Sequence, residues 1–342
     1  MNSVAKYFRF DELGTNFRTE IIAGLTTFVS MAYILFVNPT VLGAAGMDKG
    51  AVFTATGVAT AIATIFMGLV ARYPIAIAPG LGVNAFFAYS VVIGMKVPWQ
   101  TAMAGVLVAA IIFLLLTFFK IRETIINMIP QDLKVAIAAG IGLFIAFIGL
   151  ANAGLIVAND STMVSLGHLT SGTSLLSIFG IIVTFILIAT RVPAAIFIGM
   201  VITAIVGIIS GLIDLPSHLI SSAPSLAPTF GESINHITDI NTFQLFTVVL
   251  TFLIVTFFDT AGTMIGLATQ AGFMKDGKMP RAGKALMADA IGMTAGAVLG
   301  TSPTSAYVES SAGMAVGGRS GLTSVTTGIL FVFALLFSPL LS

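Results

Sequence analysis

Asp259, in TFLIVTFFDTAGTMIGLATQ, and Glu309, in GTSPTSAYVESSAGMAVGGRSG, are carboxylates set among hydrocarbon and small polar residues. A charged side chain at the centre of a membrane-spanning helix costs about 2.5–3.5 kcal/mol on insertion scales, so it marks a ligand site, a proton site or a buried ion partner. Burial penalises the charged form of a carboxyl group, which lets such an acid take up and release a proton. Asn84, in ARYPIAIAPGLGVNAFFAYSV, offers both a donor and an acceptor. Thr263 lies one turn beyond Asp259 on the same helix face. Asp289, in KALMADAIGM, is a further candidate for proton coupling, although its continuous segment favours a structural role.

Each candidate has a plainer reading. Asp259 could be the structural partner of a polar group on a neighbouring helix. Glu309 could help to cap a half-helix, where backbone N–H groups favour negative charge, but Ser302, Thr304 or Ser305 would cap it without burying a charge. Asn84 could hold its own broken helix together by a hydrogen bond.

The elements that carry these groups follow from composition. The chain has 342 residues, 57% hydrophobic and 8% charged, with a mean hydropathy of +1.06. That excludes an ordinary soluble domain, which has about a quarter of its residues charged. The net charge of +1, without a basic cluster, gives no support to nucleic-acid binding. Cysteine is absent, which removes disulfides and thiolate chemistry.

A spanning helix needs about 20 mostly apolar residues. On that scale we read eleven segments, at roughly 20–45, 51–71, 74–95, 99–119, 133–151, 173–190, 193–213, 243–272, 284–299, 301–318 and 322–341. With the N-terminus inside, thirteen of the fifteen lysines and arginines fall on the inner side, which fits the positive-inside rule. The intervals 152–172 and 214–242 carry neither residue and fall outside.

The third and tenth segments are not continuous apolar helices. Each reads as a short extended stretch around a proline, Pro79 or Pro303, followed by a helix. They recur at an offset of about 224 residues, which predicts an all-α polytopic membrane protein made of two inverted seven-segment repeats. The expected organisation is a cytoplasmic lead-in at 1–19, a first repeat at 20–213, an extracellular connection at 214–242 and a second repeat at 243–342. Only four of seven segments are visible in that second repeat, so about three helices are expected to be missing.

No catalytic constellation emerges. FFDTAGT resembles one loop of an aspartic protease, but that chemistry needs two facing loops. A Ser-Lys dyad and a His-Glu-x-x-His motif are both lacking, and His168, His218 and His236 are too scattered for a metal site. Asp132 and Lys134 read as a solvated helix start. We expect no enzyme activity and no cofactor. Two carboxylates and an amide, with no intramembrane cation placed to neutralise an anion, favour a neutral ligand that donates hydrogen bonds, such as a flat N–H heterocycle. Phe86, Phe87, Phe257 and Phe258 are candidates to stack on it.

FDELGTNFRTEIIAGLTTFVSMAYILFVNP, ARYPIAIAPGLGVNAFFAYSV, FFDTAGTMIGLATQAG and LGTSPTSAYVESSAGMAVGGRSGLTSV resemble the azaguanine-type purine permeases, a branch of the nucleobase and ascorbate transporter superfamily. The resemblance runs from about Phe8 to the last residue. It implies a fourteen-segment fold in the plasma membrane that imports hypoxanthine or guanine, with adenine as an alternative, by proton symport. By position, Asp259 and Glu309 match the family's base-binding acids and Asn84 its third-segment amide. Ala78–Gly80 and Ser302–Tyr307, with Thr304 and Ser305, would form short strands crossing near the bilayer midplane. Thr263 stands where uracil-transporting relatives carry a histidine. The implied partners are a purine base, protons, the lipid bilayer and a second copy of the chain in a homodimer. The competing readings are an anion carrier of the related sulfate-transporter fold and a non-transporting membrane protein.

Overall fold

The computed structural model describes residues 3–122, 124, 131–159, 162–192, 194–213, 220–239, 243–274 and 279–341. His218, named above, lies outside the described residues, as do Lys275 and Lys278, two of the thirteen cations counted on the inner side. In chain order the helices are α1 (Ser3–Tyr7), α2 (Phe10–Leu13), α3 (Phe17–Met31), α4 (Ile34–Ala44), α5 (Lys49–Phe66), α6 (Leu81–Ala85), α7 (Trp99–Phe118) and α8 (Gln131–Asn152). They continue as α9 (Gly172–Ala189), α10 (Ala195–Ile209), α11 (Glu232–Asn235), α12 (Phe243–Gln270), α13 (Ala282–Leu299), α14 (Ser310–Ala315) and α15 (Gly321–Ala334). Among the described residues, seven helices are long and apolar enough to cross a membrane, and Leu81–Gly94, Gly142–Asn152 and Ala195–Ile209 are shorter apolar helices.

Polar side chains set where the helices begin. Asn16 accepts from the Thr19 N–H ahead of α3, and Asp48 accepts from the Ala51 N–H ahead of α5, satisfying donors that an α-helix leaves unpaired at its start. Past its end, α5 widens into a π-helical turn, Met67–Ala71, and α6 runs on as the π-helix Phe86–Gly94.

Four strands interrupt the helices. In the interval 152–172, β2 (Ile156–Asn159) pairs antiparallel with β3 (Met163–Leu166) as a hairpin. The strands β1 (Ile77–Pro79) and β4 (Thr304–Ala306) come from opposite ends of the sequence and pair antiparallel, with Ala78 opposite Ser305. Such a short sheet has to find partners for its outer edges. Flanking backbone bonds extend it at both ends, from Gly80 N–H to Pro303 O and from Tyr307 N–H to Ala76 O. On the other edge of β1, the Thr64 hydroxyl accepts from the Ile77 N–H and donates to the Ile77 carbonyl. Strand backbone at this depth is therefore held within protein, as a low-dielectric surrounding requires.

Around the sheet, α15 packs between α3 and α5 through glycines. A Cβ at Gly321 would lie 2.0 Å from the Gly68 carbonyl oxygen, a separation that only glycine permits. Where α15 begins, the fully buried Glu20 carboxylate accepts from the Arg319 and Ser320 N–H groups and from the Thr15 and Thr323 hydroxyls. It thus lies at a helix N-terminus, where the backbone dipole favours an anion. This ties the start of the first span to the last.

Candidate functional site

Beside the β1–β4 pair lies a cavity of about 140 Å³, whose walls include Tyr33, Gly80, Asp259, Thr263, Ser305, Tyr307 and Glu309. At about 30 Å³ of liquid per water, that is room for roughly five waters or one small molecule. Five elements supply the wall. Gly80 follows β1 and Ser305 lies in β4. Asp259 and Thr263 come from the middle of α12, and Tyr33 sits at the break between α3 and α4.

The acids enter the cavity differently. Asp259 and the Ser305 hydroxyl flank Gly80 together, both lining the cavity. Glu309 occupies the N-cap position of α14 but makes no side-chain capping bond. Its Oε1 instead accepts from the Tyr33 hydroxyl at 2.5 Å. Tyr307 donates to the Pro79 carbonyl at 2.7 Å, fixing its ring beside the strand pair. Among the described residues the wall thus holds two carboxylates, one of them met by a tyrosine hydroxyl, and no lysine, arginine or histidine.

Other sequence candidates are not part of this wall. Ala78 is buried in an apolar cluster with Tyr33 and Tyr307. Thr304 is buried and its Oγ1 has no partner. Asn84 donates from Nδ2 to Asn38 Oδ1 at 3.0 Å. Asn38 in turn donates to the Thr56 and Thr301 hydroxyls and accepts from the Ser302 hydroxyl, so every donor and acceptor of its amide is used. This network joins α4, α5 and α6 to the residues leading into β4. None of Phe86, Phe87, Phe257 and Phe258 lines the cavity. Phe86 and Phe87 pack against Phe252, and Phe257 stacks on Phe113. Phe86, Phe87 and Phe257 thus belong to the core between helices, while Phe258 meets Phe257 edge to face.

One pairing goes beyond the sequence reading, which counts Arg122 among the inner-side cations and favours a structural role for Asp289. Arg122 is fully buried, and its guanidinium pairs with Asp289 at 2.6 Å while lying 4.3 Å from the centre of the Phe113 ring. Thr260 also donates to Asp289. The physical reason is desolvation: a carboxylate on a helix packed on all sides needs a partner, and the chain leaving α7 turns one inward.

Sequence reasoning missed Tyr33, Tyr307, Asn38 and this use of Arg122. The available signal was a lone tyrosine or asparagine within an apolar span, SMAYILFVNP or PTSAYVES, the same signal that exposed Asp259. Among the described residues no cluster of acids and histidines could hold a metal ion. His236 is engaged by Glu232 and Asp239 on the surface.

Comparison with known proteins places this geometry. The transmembrane domain of a cyanobacterium bicarbonate transporter, BicA, superposes with a TM-score of 0.66 at 14% identity, covering 95% of this chain and 83% of that one. That likeness is one of fold. The guanine/hypoxanthine permease PbuG of Bacillus subtilis (strain 168) is 58% identical over 345 residues, spanning 98% of this chain and 78% of that protein. The adenine permease AdeP of Escherichia coli (strain K12) is 45% identical over 338 residues, spanning 98% and 75%. The profile described as Permease family matches residues 18–342. The chain is therefore a multi-pass membrane protein of the Permease family, and within it belongs to the azaguanine-type branch of the nucleobase and ascorbate transporter superfamily.

Proposed function

We propose that the chain carries purine nucleobases across the plasma membrane by proton symport, with its N-terminus in the cytoplasm, and that the base sits in the cavity between Asp259 and Glu309. The observation that carries this reading is that two carboxylates distant in sequence share one small cavity, with no cation among the described residues of its wall. Such a wall accepts hydrogen bonds and repels anions, so it suits a neutral ring with several N–H groups. Relatives named as guanine/hypoxanthine and adenine permeases support the same ligand class. Tyr33 and Tyr307, rather than the four phenylalanines, are the aromatic rings within reach of the ligand. Asp259 and Glu309 are the proposed proton sites, since Asp289 is engaged by Arg122 and Thr260. In this reading the segments around β1 and β4 are corresponding broken helices of two inverted repeats, and their crossing forms the binding site.

The test is uptake of radiolabelled hypoxanthine into proteoliposomes, competed by guanine, adenine, xanthine and uracil, with and without an imposed proton gradient. Competition by the purines and stimulation by an inward gradient are expected. Competition by uracil alone, or by none of these bases, would overturn the substrate assignment. Gradient-independent uptake would overturn only the coupling.

A second test concerns Gly80. A Cβ there would lie 2.7 Å from Ser305 Oγ and 3.2 Å from Asp259 Oδ2, within the floor of the cavity. A methyl there would occupy space that the proposed base needs. Gly80→Ala is therefore expected to raise KM for the base by about tenfold or more, at about 1.4 kcal/mol per tenfold. An unchanged KM in a well-folded variant would place the base elsewhere.

A further inference from the structure

A second cavity, of about 330 Å³, lies where the ends of three spans meet. Its walls are Val70 from the π-helical turn after α5, Thr117 and Phe118 from the end of α7, Lys120 just beyond, and Arg281, Ala282, Gly283, Lys284 and Met287 at the start of α13. Among the described residues of this wall three are cationic and none is acidic. The Arg281 guanidinium lies 4.7 Å from the centre of the Tyr73 ring. The first turn of α13 has no side-chain cap, so its end of the helix dipole is open to an anion. Thr117 is 4% exposed, and its hydroxyl has no hydrogen-bond partner. The remaining wall is apolar, with Phe118 71% exposed beside Val70 and Met287.

We propose that this cavity is a binding site for a phosphate-bearing anion, with the phosphoryl group between Lys120, Arg281 and Lys284. Three cations around one concavity favour an anion there, and the N-terminal end of a helix dipole adds to that preference. The hydrocarbon wall suits a phospholipid, whose acyl chain would run along Phe118 and Met287 while its headgroup meets the cations. A soluble phosphate ester shares the charge but not the chain. The site is separate from the base cavity, whose walls share no residue with it.

The test is native mass spectrometry of the detergent-solubilised protein titrated with phosphatidylglycerol, phosphatidylcholine and inorganic phosphate in separate arms. Phosphatidylglycerol is expected to bind at least about tenfold more tightly than phosphatidylcholine. A Lys/Arg near a membrane surface contributes about 1 kcal/mol toward anionic lipid. Lys120→Gln with Lys284→Gln is therefore expected to weaken phosphatidylglycerol binding roughly thirtyfold, equivalent to about 2 kcal/mol. The paired Lys→Arg variant, which keeps both charges, is expected to retain binding and serves as the folding control. Protection by inorganic phosphate with no preference among lipids, lost in the paired Gln variant, would keep the site and identify a soluble phosphate as its ligand. Equal binding of both lipids without phosphate binding, or binding unchanged in the paired Gln variant, would overturn the proposal.

Discussion

Asp259→Asn and Glu309→Gln are each expected to lower the rate of hypoxanthine uptake by roughly 10- to 100-fold while the protein remains folded. Both substitutions preserve side-chain volume and remove the charge. A hydrogen bond to a charged group is worth about 1.5–3 kcal/mol, against about 0.5–1.5 for a neutral one, and about 1.4 kcal/mol is a factor of ten. The amide also presents an N–H where the base presents its own, which replaces attraction with a mismatch. The two variants should differ in one respect. Glu309 already accepts from Tyr33, so Glu309→Gln perturbs the α3–α4 break as well as the ligand. Initial-rate uptake into proteoliposomes, normalised to reconstituted protein, measures both effects. Uptake at the parent rate by both variants would remove these acids from the site.

The second large effect is one of stability. Arg122 and Asp289 are both fully buried, and they link the chain leaving α7 to α13. Removing one member of a buried pair leaves an uncompensated charge and costs about 3–5 kcal/mol, whereas replacing both by apolar groups of similar volume is often neutral. Arg122→Met is thus expected to unfold at markedly lower temperature in detergent, monitored by loss of the monodisperse size-exclusion peak. Arg122→Met combined with Asp289→Leu is expected to recover most of that loss. If the single variant is as stable as the parent, the pair is not desolvated as described. The double variant also tests coupling: retained proton-dependent uptake would confirm that Asp289 is dispensable to proton movement.

How far the sequence discloses this molecule depends on whether a property is local. Spans are local, since twenty apolar residues in a row have few other fates, and the seven long helices coincide closely with segments read from hydropathy alone. Asp259 and Glu309 stand out for the same reason, as charges where the surrounding residues make charge expensive. Pairing is not local. Tyr33 meets Glu309 across 276 residues, and Arg122 meets Asp289 across 167. Nothing in SMAYILF or FFKIRE distinguishes a tyrosine bound to an acid from one at a lipid interface, or an inward arginine from a loop cation. Asn84 shows the converse: its polarity was legible, but its partner Asn38, hidden beside Pro39, decides that its amide holds helices together. The phenylalanines were misleading because ring type says nothing about which side of a helix meets a cavity.

The β1–β4 pair gives the cavity beside it a reading frame. Its register spans three residue pairs, and neighbouring positions in a strand face opposite ways. Ser305 lines the cavity, while Thr304 turns toward α13, where a Cβ on Gly292 would come within 2.9 Å of its Oγ1. A slip of one residue would exchange one hydroxyl for the other. The chemistry offered to a ligand is then fixed by whether the number of residues between Gly300 and the strand is odd or even, so a single inserted residue there would change the ligand's partner and not merely the length of a connection.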